Sequence, residues 1–206
     1  MHTSWTHILA RWVIRPLIGT GVTPNHLTSL RLITGLAACI AVAIGTPAGM
    51  AWGGVLWLVS AFLDRADGEL ARIGHMTSAA GHAYDYRVDL WVNSAIFLGA
   101  GVGLRHSWLG LYAPPLGLEA ALGMWVCCWL SEEYEKLQPP GVRTFHGAFG
   151  FDPDDALYLI APLIWFGWLA PTLIAAAAVS TLIALVILAR LMGLKHRLRQ
   201  AAARIV

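Results

Sequence analysis

The chain has 206 residues, of which 57% are hydrophobic and 13% are charged, with a formal net charge of +2. Because a soluble domain carries about 25% charged residues, this composition and a mean hydropathy of +0.62 exclude an ordinary soluble protein. They predict one multi-pass membrane domain over residues 1–206, and the small net charge argues against nucleic acid as a partner.

The N-terminal segment is amphipathic, and we expect residues 1–20 to form a helix in the membrane interface. Its apolar side chains recur at helical spacing, at Trp5, Ile8, Leu9, Trp12 and Val13, and its polar side carries His7, Arg11 and Arg15. Such a helix lies in the plane of the membrane with its arginines among the lipid headgroups. The sequence GVTPN at residues 21–25 then breaks the helix, because glycine and proline punctuate regular structure.

Six apolar segments follow, and we interpret them as the membrane-spanning helices of a bundle over residues 27–192. They cover residues 27–45, 51–71, 81–104, 116–134, 154–169 and 171–192. Of the fourteen lysines and arginines, only Arg105 lies in a connector on the outer side of this arrangement. Positively charged connectors stay in the cytoplasm, so we expect both termini, including a basic tail over residues 193–206, on the cytoplasmic side.

Four aspartates lie near the cytoplasmic ends of the second and third spans. Asp64 and Asp67 are three residues apart, and Asp85 and Asp89 are four apart, so each pair shares one face of its helix. The two spans are antiparallel and joined by a short connector, which allows both acidic faces to turn towards each other. We therefore expect the four carboxylates to form one cluster.

Two kinds of partner would compensate the charge of such a cluster. A charged side chain facing lipid costs at least ~2.5–3.5 kcal/mol at a helix centre, so these carboxylates must face protein or water, where they repel each other. Mg²⁺ or Mn²⁺ would compensate, because both are hard cations that prefer oxygen ligands and no histidine or cysteine set competes. Neutralisation by Arg65, Arg72 and Arg87 is an alternative that stays open at this point.

Small residues accompany the aspartates. Gly68 follows Asp67 inside a helix, where glycine costs ~1 kcal/mol relative to alanine, and Gly81 lies in the returning span. Ala71 continues the same strip of small side chains. Small residues allow two backbones to approach each other, or allow the phosphate or sugar of a ligand to come close to a metal.

These positions together resemble the signature of the CDP-alcohol phosphotransferase family. With ~6% usage per residue type, eight fixed positions coincide by chance on the order of once in 10¹⁰ trials. A Pro-Asn pair at the start of the first span, Pro24-Asn25, also occurs in that family. The matching residues, spaced as D-x2-D-G-x2-A-R-x8-G-x3-D-x3-D, are Asp64, Asp67, Gly68, Ala71, Arg72, Gly81, Asp85 and Asp89.

The resemblance implies an all-α membrane enzyme in the lipid bilayer, with six transmembrane helices preceded by an N-terminal interfacial amphipathic helix, that forms a homodimer. Such an enzyme transfers a substituted phosphate from a CDP-alcohol donor, in the first instance CDP-diacylglycerol, to an alcohol acceptor and releases CMP in phospholipid biosynthesis. A divalent-cation transporter with a carboxylate-lined site is the alternative from another class. Its polar groups would have to continue across the membrane, whereas the second and third spans are apolar beyond the cluster.

By the same resemblance, the aspartates form a two-metal site for Mg²⁺ or Mn²⁺. Asp64, Asp67 and Asp85 would be the principal metal ligands. Asp89 would complete the site and act as the general base on the incoming hydroxyl. A carboxylate beside metals is a weak base, which suffices because the hydroxyl becomes acidic mainly as the phosphorus–oxygen bond forms.

The remaining signature residues would bind the nucleotide. In that family Arg72 would hold a phosphate of the CDP moiety. Gly68, Ala71 and Gly81 would leave room for the cytidine nucleotide, with Asn25 nearby.

The identity of the acceptor is left open by the sequence. Arg87 would either bind a phosphorylated acceptor or pair with Asp85 or Glu69. The fourth connector offers further polar residues on the same side of the membrane, namely Lys136, Arg143 and His146. Lys136 would equally form a surface pair with Glu132, four residues earlier.

The segment FDPDDAL at residues 151–157 also allows two interpretations. Asp152 would cap a helix whose first turn carries Asp154 and Asp155 against the helix dipole. Alternatively, these aspartates would contact the acceptor or a metal.

Overall fold

The computed structural model describes residues 5–138 and 153–203, which contain helices and no strands, as predicted. The α-helices are α1 (Trp5–Ile14), α2 (Pro24–Ile44), α3 (Pro47–Ile73), α4 (Ala79–Gly103), α5 (Ala113–Lys136), α6 (Ile160–Trp165) and α7 (Leu169–Ala203). Short 3-10 helices lie between them, at Arg15–Leu17, Leu104–His106, Gly110–Tyr112 and Pro153–Leu159.

The helix boundaries around the site follow from capping residues. α2 begins at Pro24, a residue suited to the first turn of a helix, and ends at Ile44. The next residue, Gly45, has a φ of +76°, the left-handed conformation that glycine adopts easily. The Thr46 side chain then accepts a hydrogen bond of 3.1 Å from the backbone of Gly49 and so caps α3. These two caps place α2 and α3 side by side and antiparallel.

Three of the described helices are long and apolar enough to cross a membrane, namely Pro24–Ile44, Gly110–Lys136 and Leu169–Gln200. They indicate that the chain is a membrane protein. Five of the six predicted spans coincide with a long helix, from α2 to α5 and α7. The predicted fifth span, residues 154–169, is instead a 3-10 helix followed by the six-residue α6.

Glycines allow the central helices to pack closely. A Cβ on Gly99 of α4 would lie 2.5 Å from the backbone oxygen of Cys39 in α2, and a Cβ on Gly101 would lie 3.0 Å from Cα of Gly117 in α5. Small residues at these crossings bring helix backbones together, as is typical of membrane helices. The main core lies between these helices and includes Trp57, which is fully enclosed.

The N-terminal helix α1 packs against the C-terminal half of α3. Its Ile14 is buried in a cluster with Ala66 and Leu70. On its opposite side, Trp12 is 73% exposed, and Ile8 is exposed as well. α1 therefore presents an apolar face outwards while its other faces contact the bundle.

Candidate metal and nucleotide site

The carboxylates of Asp64, Asp67 and Asp85 come together between α3 and α4. Each offers one oxygen, and these oxygens all lie within 4.8 Å of one another. The start of α4 is fixed by Ser78, whose side chain accepts a hydrogen bond of 3.0 Å from the backbone of Gly81. The two acidic faces thus meet, and three of the four aspartates form a compact group.

Asp67 is the buried member of this group, with 3% of the residue exposed. Thr28 of α2, which is also buried, donates a hydrogen bond of 2.6 Å from Oγ1 to Oδ2 of Asp67. This bond orients the carboxylate. Sequence reasoning missed Thr28, although it lies one turn after the Pro24-Asn25 pair.

Arg31 of α2 joins the cluster from the third side. It is 2% exposed, forms ion pairs with Asp64 and Asp89, and has its NH1 atom 3.7 Å from Oδ1 of Asp85. Its own backbone carbonyl accepts a hydrogen bond of 3.0 Å from Ser60. The sequence analysis overlooked Arg31. The signal was a lone arginine inside the first apolar span, because an ionisable residue within a span indicates a functional site.

Two of the arginines that the sequence offered as neutralising partners of the aspartates contact acids outside the cluster. Arg65 donates a hydrogen bond of 3.2 Å to Asp155, and Arg72 donates one of 2.7 Å to Glu69. Arg31 contacts the cluster directly. Sequence spacing predicted partners from within α3 and α4, whereas the observed partner comes from a different helix.

The donor set fits a divalent cation. Arg31 supplies one positive charge within a group of four carboxylates, and a divalent cation there would add two more. Ligand oxygens about 2.1 Å from an octahedral Mg²⁺ lie up to about 4.2 Å apart. The oxygens of Asp64, Asp67 and Asp85, all within 4.8 Å of one another, approach that arrangement. Asp89 stands at the edge of this group beside Arg31.

A cavity of about 190 Å³ opens directly beside the cluster. Asp67 and Asp85 form one wall of it. All five residues that the sequence assigned to the nucleotide also line it, and these are Asn25, Gly68, Ala71, Arg72 and Gly81. The structure therefore brings together the predicted metal and nucleotide residues in one place.

The two signature glycines serve this cavity more directly than they serve helix packing. The atoms nearest to a Cβ on Gly68 would belong to the guanidinium of Arg72, the first of them at 3.5 Å. A Cβ on Gly81 would lie 3.0 Å from Oγ of Ser78 and 3.4 Å from Oδ1 of Asn25. Neither contact involves the backbone of a second helix. Of the two explanations for these glycines, the geometry favours room for a ligand.

A second and larger cavity of about 920 Å³ lies between α4, α5 and α7. Its lining includes the polar side chains of His82, Arg87, Glu132 and Glu135 and apolar side chains such as Phe97. His82 lines both cavities, so both border the start of α4. Arg87 thus faces the larger cavity.

Several residues considered for the acceptor have other partners or lie outside the described residues. Lys136 forms ion pairs with Glu132 at 2.8 Å and Glu133 at 3.0 Å, as the surface-pair interpretation predicts. Arg143 and His146 fall in residues 139–152, outside the part of the chain that the structure describes.

The aspartates of the FDPDDAL segment divide in the same way. Asp152 and the Asp154 side chain are outside the described residues. Asp155 is buried and accepts hydrogen bonds of 2.9 Å from Thr6 and 3.2 Å from Arg65. It therefore links α1 to α3, a role that neither interpretation of the sequence predicted.

Comparison with known proteins places the site in a wider context. A family model described as CDP-alcohol phosphatidyltransferase matches residues 21–134, which contain the entire acidic signature. A curated relative, the bifunctional IPC transferase and DIPP synthase of Aquifex aeolicus (strain VF5), is 25% identical over 173 residues. That alignment covers 82% of this chain but 39% of the relative, so the chain spans about two fifths of the relative's length.

A solved structure shares the fold. The crystal structure of Mycobacterium tuberculosis phosphatidylinositol phosphate synthase (PgsA1) with CDP-DAG bound superposes with a TM-score of 0.69. The superposition covers 91% of this chain and 93% of that chain, at 17% sequence identity. At this identity the likeness concerns the arrangement of helices.

Proposed function

The chain belongs to the CDP-alcohol phosphatidyltransferase family, and on that basis we propose that it transfers a substituted phosphate from a CDP-alcohol to an alcohol, with release of CMP. The observation that carries the proposal is the three-aspartate group of Asp64, Asp67 and Asp85 beside a cavity that contains Arg72 and the two signature glycines. The family match favours this reaction over the transporter alternative. The resemblance predicted from the signature is thereby confirmed at the level of the family.

We assign the metal site to the aspartates. Asp64, Asp67 and Asp85 would hold the ions, Asp89 would complete the site, and the hydrogen bond from Thr28 orients the Asp67 carboxylate. When bound there, two divalent cations would stabilise both the attacking and the leaving oxygen of an in-line displacement. Mg²⁺ and Mn²⁺ suit this site because all its donors are carboxylate oxygens.

The nucleotide occupies the cavity between α2, α3 and α4. Arg72 binds a phosphate of the CDP group, because a guanidinium matches phosphate with paired hydrogen bonds. Gly68 and Gly81 leave the floor of the cavity without side chains, so the nucleotide lies close to the cluster. Asn25 contributes a polar side chain at the cavity wall.

Asp89 takes the proton of the acceptor. As the acceptor oxygen bonds to phosphorus, its proton passes to the Asp89 carboxylate and the bond between phosphorus and the CMP oxygen breaks. The position of Asp89 supports this assignment, because it lies beside Arg31 at the edge of the compact aspartate group. An ion pair with Arg31 holds the carboxylate in place while it remains available at the edge of the site.

We propose CDP-diacylglycerol as the donor and the larger cavity as the acceptor side. The solved structure of similar fold holds CDP-DAG, which supports a lipid donor for this chain. The larger cavity and the nucleotide cavity both border His82, and Arg87 lines the larger one. An acceptor in that cavity would therefore be adjacent to the donor nucleotide, with Arg87 as a candidate contact.

We also propose the membrane arrangement of the chain. α3 and α4, with 27 and 25 residues, are about 40 and 37 Å long and exceed the hydrocarbon thickness of about 30 Å. With α2, α5, α7 and the segment that contains α6, they make up six spans with cytoplasmic termini. The exposed apolar face of α1 supports its position in the interface. We expect a homodimer.

The experiment that tests the function measures CMP release by purified protein from CDP-diacylglycerol with a panel of alcohols. The panel of acceptors includes glycerol phosphate, inositol phosphate, serine and a diacylglycerol. A further reaction pairs the diacylglycerol with CDP-choline and so tests a soluble donor. CMP release that requires both donor and acceptor supports the proposal. Absence of CMP with every pair, together with divalent-cation uptake into protein-containing vesicles, would favour a transporter.

A further inference from the structure

Glu69 is a carboxylate enclosed between α1 and the cytoplasmic end of α3, where 2% of its side chain is exposed. Three side chains contact it. Its Oε2 accepts a hydrogen bond of 2.6 Å from Arg11, and its Oε1 lies 2.7 Å from NH2 of Arg72 and 2.8 Å from Nδ1 of His7. A buried carboxylate is stable only when it is paired, and these partners from two helices supply that pairing.

Arg72 is the partner of Glu69 that also lines the nucleotide cavity. Its side chain is 55% exposed, so packing alone does not hold it in one conformation. The ion pair with Glu69 places the guanidinium across Gly68, where a Cβ would contact it at 3.5 Å. An arginine loses less conformational freedom on binding when it is already fixed in the binding geometry.

The helix α1 holds Glu69 from the other side. Arg11 and His7 of α1 both contact the Glu69 carboxylate, and Thr6 anchors the same helix to Asp155 at 2.9 Å. None of these α1 residues lines the nucleotide cavity. A chain of contacts thus runs from α1 through Glu69 to the guanidinium of Arg72.

We propose that Glu69 is a positioning residue of the nucleotide site, which fixes the Arg72 guanidinium before the nucleotide binds, and that α1 supports it through Arg11. This inference rests on the proposed function, because it takes Arg72 as the phosphate contact. A Glu69 that only attached α1 to α3 would give a different result. The effect of replacing Glu69 on CMP binding would then not depend on the presence of Arg72.

A double-mutant cycle on the full-length protein tests this inference, with CMP and Mg²⁺ as the probe in calorimetric binding. Glu69→Gln keeps the side-chain volume and removes the charge. We expect it to weaken CMP binding roughly tenfold, because Arg72 loses a charged hydrogen-bond partner. In an Arg72→Gln background, the same change should alter CMP affinity by less than about twofold, because the group that it positions is absent.

Further variants separate positioning from attachment. Thr6→Val removes a hydrogen bond between α1 and Asp155 without touching Glu69, and we expect CMP affinity within about twofold of wild type. Arg11→Gln, at a residue whose side chain is 43% exposed, is a milder change if Glu69→Gln does not fold. It should weaken CMP binding about threefold in the wild-type background and have no effect with Arg72→Gln.

Each outcome has a distinct meaning. Wild-type protein that binds no CMP with Mg²⁺ would overturn the proposed function and this inference together. Wild-type binding, with equal effects of Glu69→Gln or Arg11→Gln in the presence and absence of Arg72, would overturn the inference alone. In donor kinetics, positioning predicts that Glu69→Gln raises the KM for the CDP-alcohol about tenfold and leaves kcat within about twofold.

Discussion

Arg31 of α2 forms an ion pair with Asp89 of α4, and the same guanidinium contacts Asp64 of α3. One buried cation thereby joins the three helices that build the candidate site. Asp64, Asp85 and Asp89 lie around this arginine, and Asp67 completes the group of oxygens with Asp64 and Asp85. Replacement of Arg31 should therefore affect stability, whereas replacement of Asp89 should affect turnover.

Replacement of Arg31 should make the fold depend more strongly on metal. In Arg31→Gln the carboxylates lose the positive charge of the guanidinium, and breaking a buried ion pair costs about 3–5 kcal/mol of stability. We expect the variant to lose about 2 kcal/mol of folding stability in the presence of a chelator, because Asp64 and Asp89 are partly exposed. Added Mg²⁺ should raise the melting temperature of this variant more than that of wild type. Thermal unfolding in detergent, with and without Mg²⁺, measures both effects.

A matched control is Arg190→Gln, which removes an exposed arginine from α7. It should leave the response to Mg²⁺ unchanged. Equal melting temperatures of Arg31→Gln and wild type in the chelator would show that the ion pairs contribute nothing to stability.

Replacement of Asp89 should separate turnover from nucleotide binding. Asp89→Asn keeps the volume and one carbonyl oxygen but cannot accept a proton, so we expect a 10²–10⁴-fold loss of rate, the usual range for general base catalysis. CMP affinity should stay within about twofold, because Asp64, Asp67, Asp85 and Arg72 remain. Steady-state kinetics and CMP binding on the same preparation check both.

The comparison variant is Asp67→Asn, at the buried aspartate that Thr28 orients and that we propose as a metal ligand. It should lose nucleotide binding as well as turnover. A folded Asp89→Asn protein with near-normal turnover would remove the base assignment and leave the metal site intact.

Gly68→Ala should stabilise the protein while it impairs the site. Alanine is favoured over glycine inside a helix by about 1 kcal/mol, and the nearest neighbour of the new Cβ would be the Arg72 guanidinium, at ordinary contact distance. The same Cβ protrudes into a cavity of about 190 Å³, so we expect CMP affinity to fall about tenfold or more. Melting temperature and CMP binding should therefore change in opposite senses.

Gly193→Ala is the matched control for this substitution. Gly193 is an exposed residue of α7, and a Cβ there would meet nothing within 4 Å. It should give a similar gain in stability with unchanged CMP affinity. If Gly68→Ala bound CMP as tightly as wild type, the nucleotide would not lie against this glycine.

The helices and the acidic cluster were predictable from the sequence because both depend on local spacing. The ends of the predicted span 51–71 lie within four residues of the ends of α3, and those of the span 81–104 lie within two residues of the ends of α4. Apolar runs, glycines and caps mark helix ends directly. The predicted fifth span differs because hydropathy does not report hydrogen-bond geometry. Pro162 and Gly167, which has a φ of +74°, both lie within residues 154–169.

Contacts between helices were less predictable. Arg31 and Asp64 are 33 residues apart, and their contact depends on how α2 is rotated against α3, which the periodicity of one helix does not determine. The same holds for Glu69, whose long-range partners His7 and Arg11 come from α1, 62 and 58 residues earlier. The sequence analysis considered Glu69 only as a partner of Arg87. Buried ion pairs between distant segments thus needed the structure.

The most direct measurement is the metal dependence of CMP release by the wild-type protein. Activity with CDP-diacylglycerol and its acceptor is measured after metal removal with EDTA, and again after Mg²⁺ or Mn²⁺ is added in excess. Because Asp64, Asp67 and Asp85 are proposed to hold the metals of the reaction, CMP release should vanish in EDTA and return with either cation. Undiminished CMP release in EDTA would contradict the assignment of the aspartate cluster as a catalytic metal site.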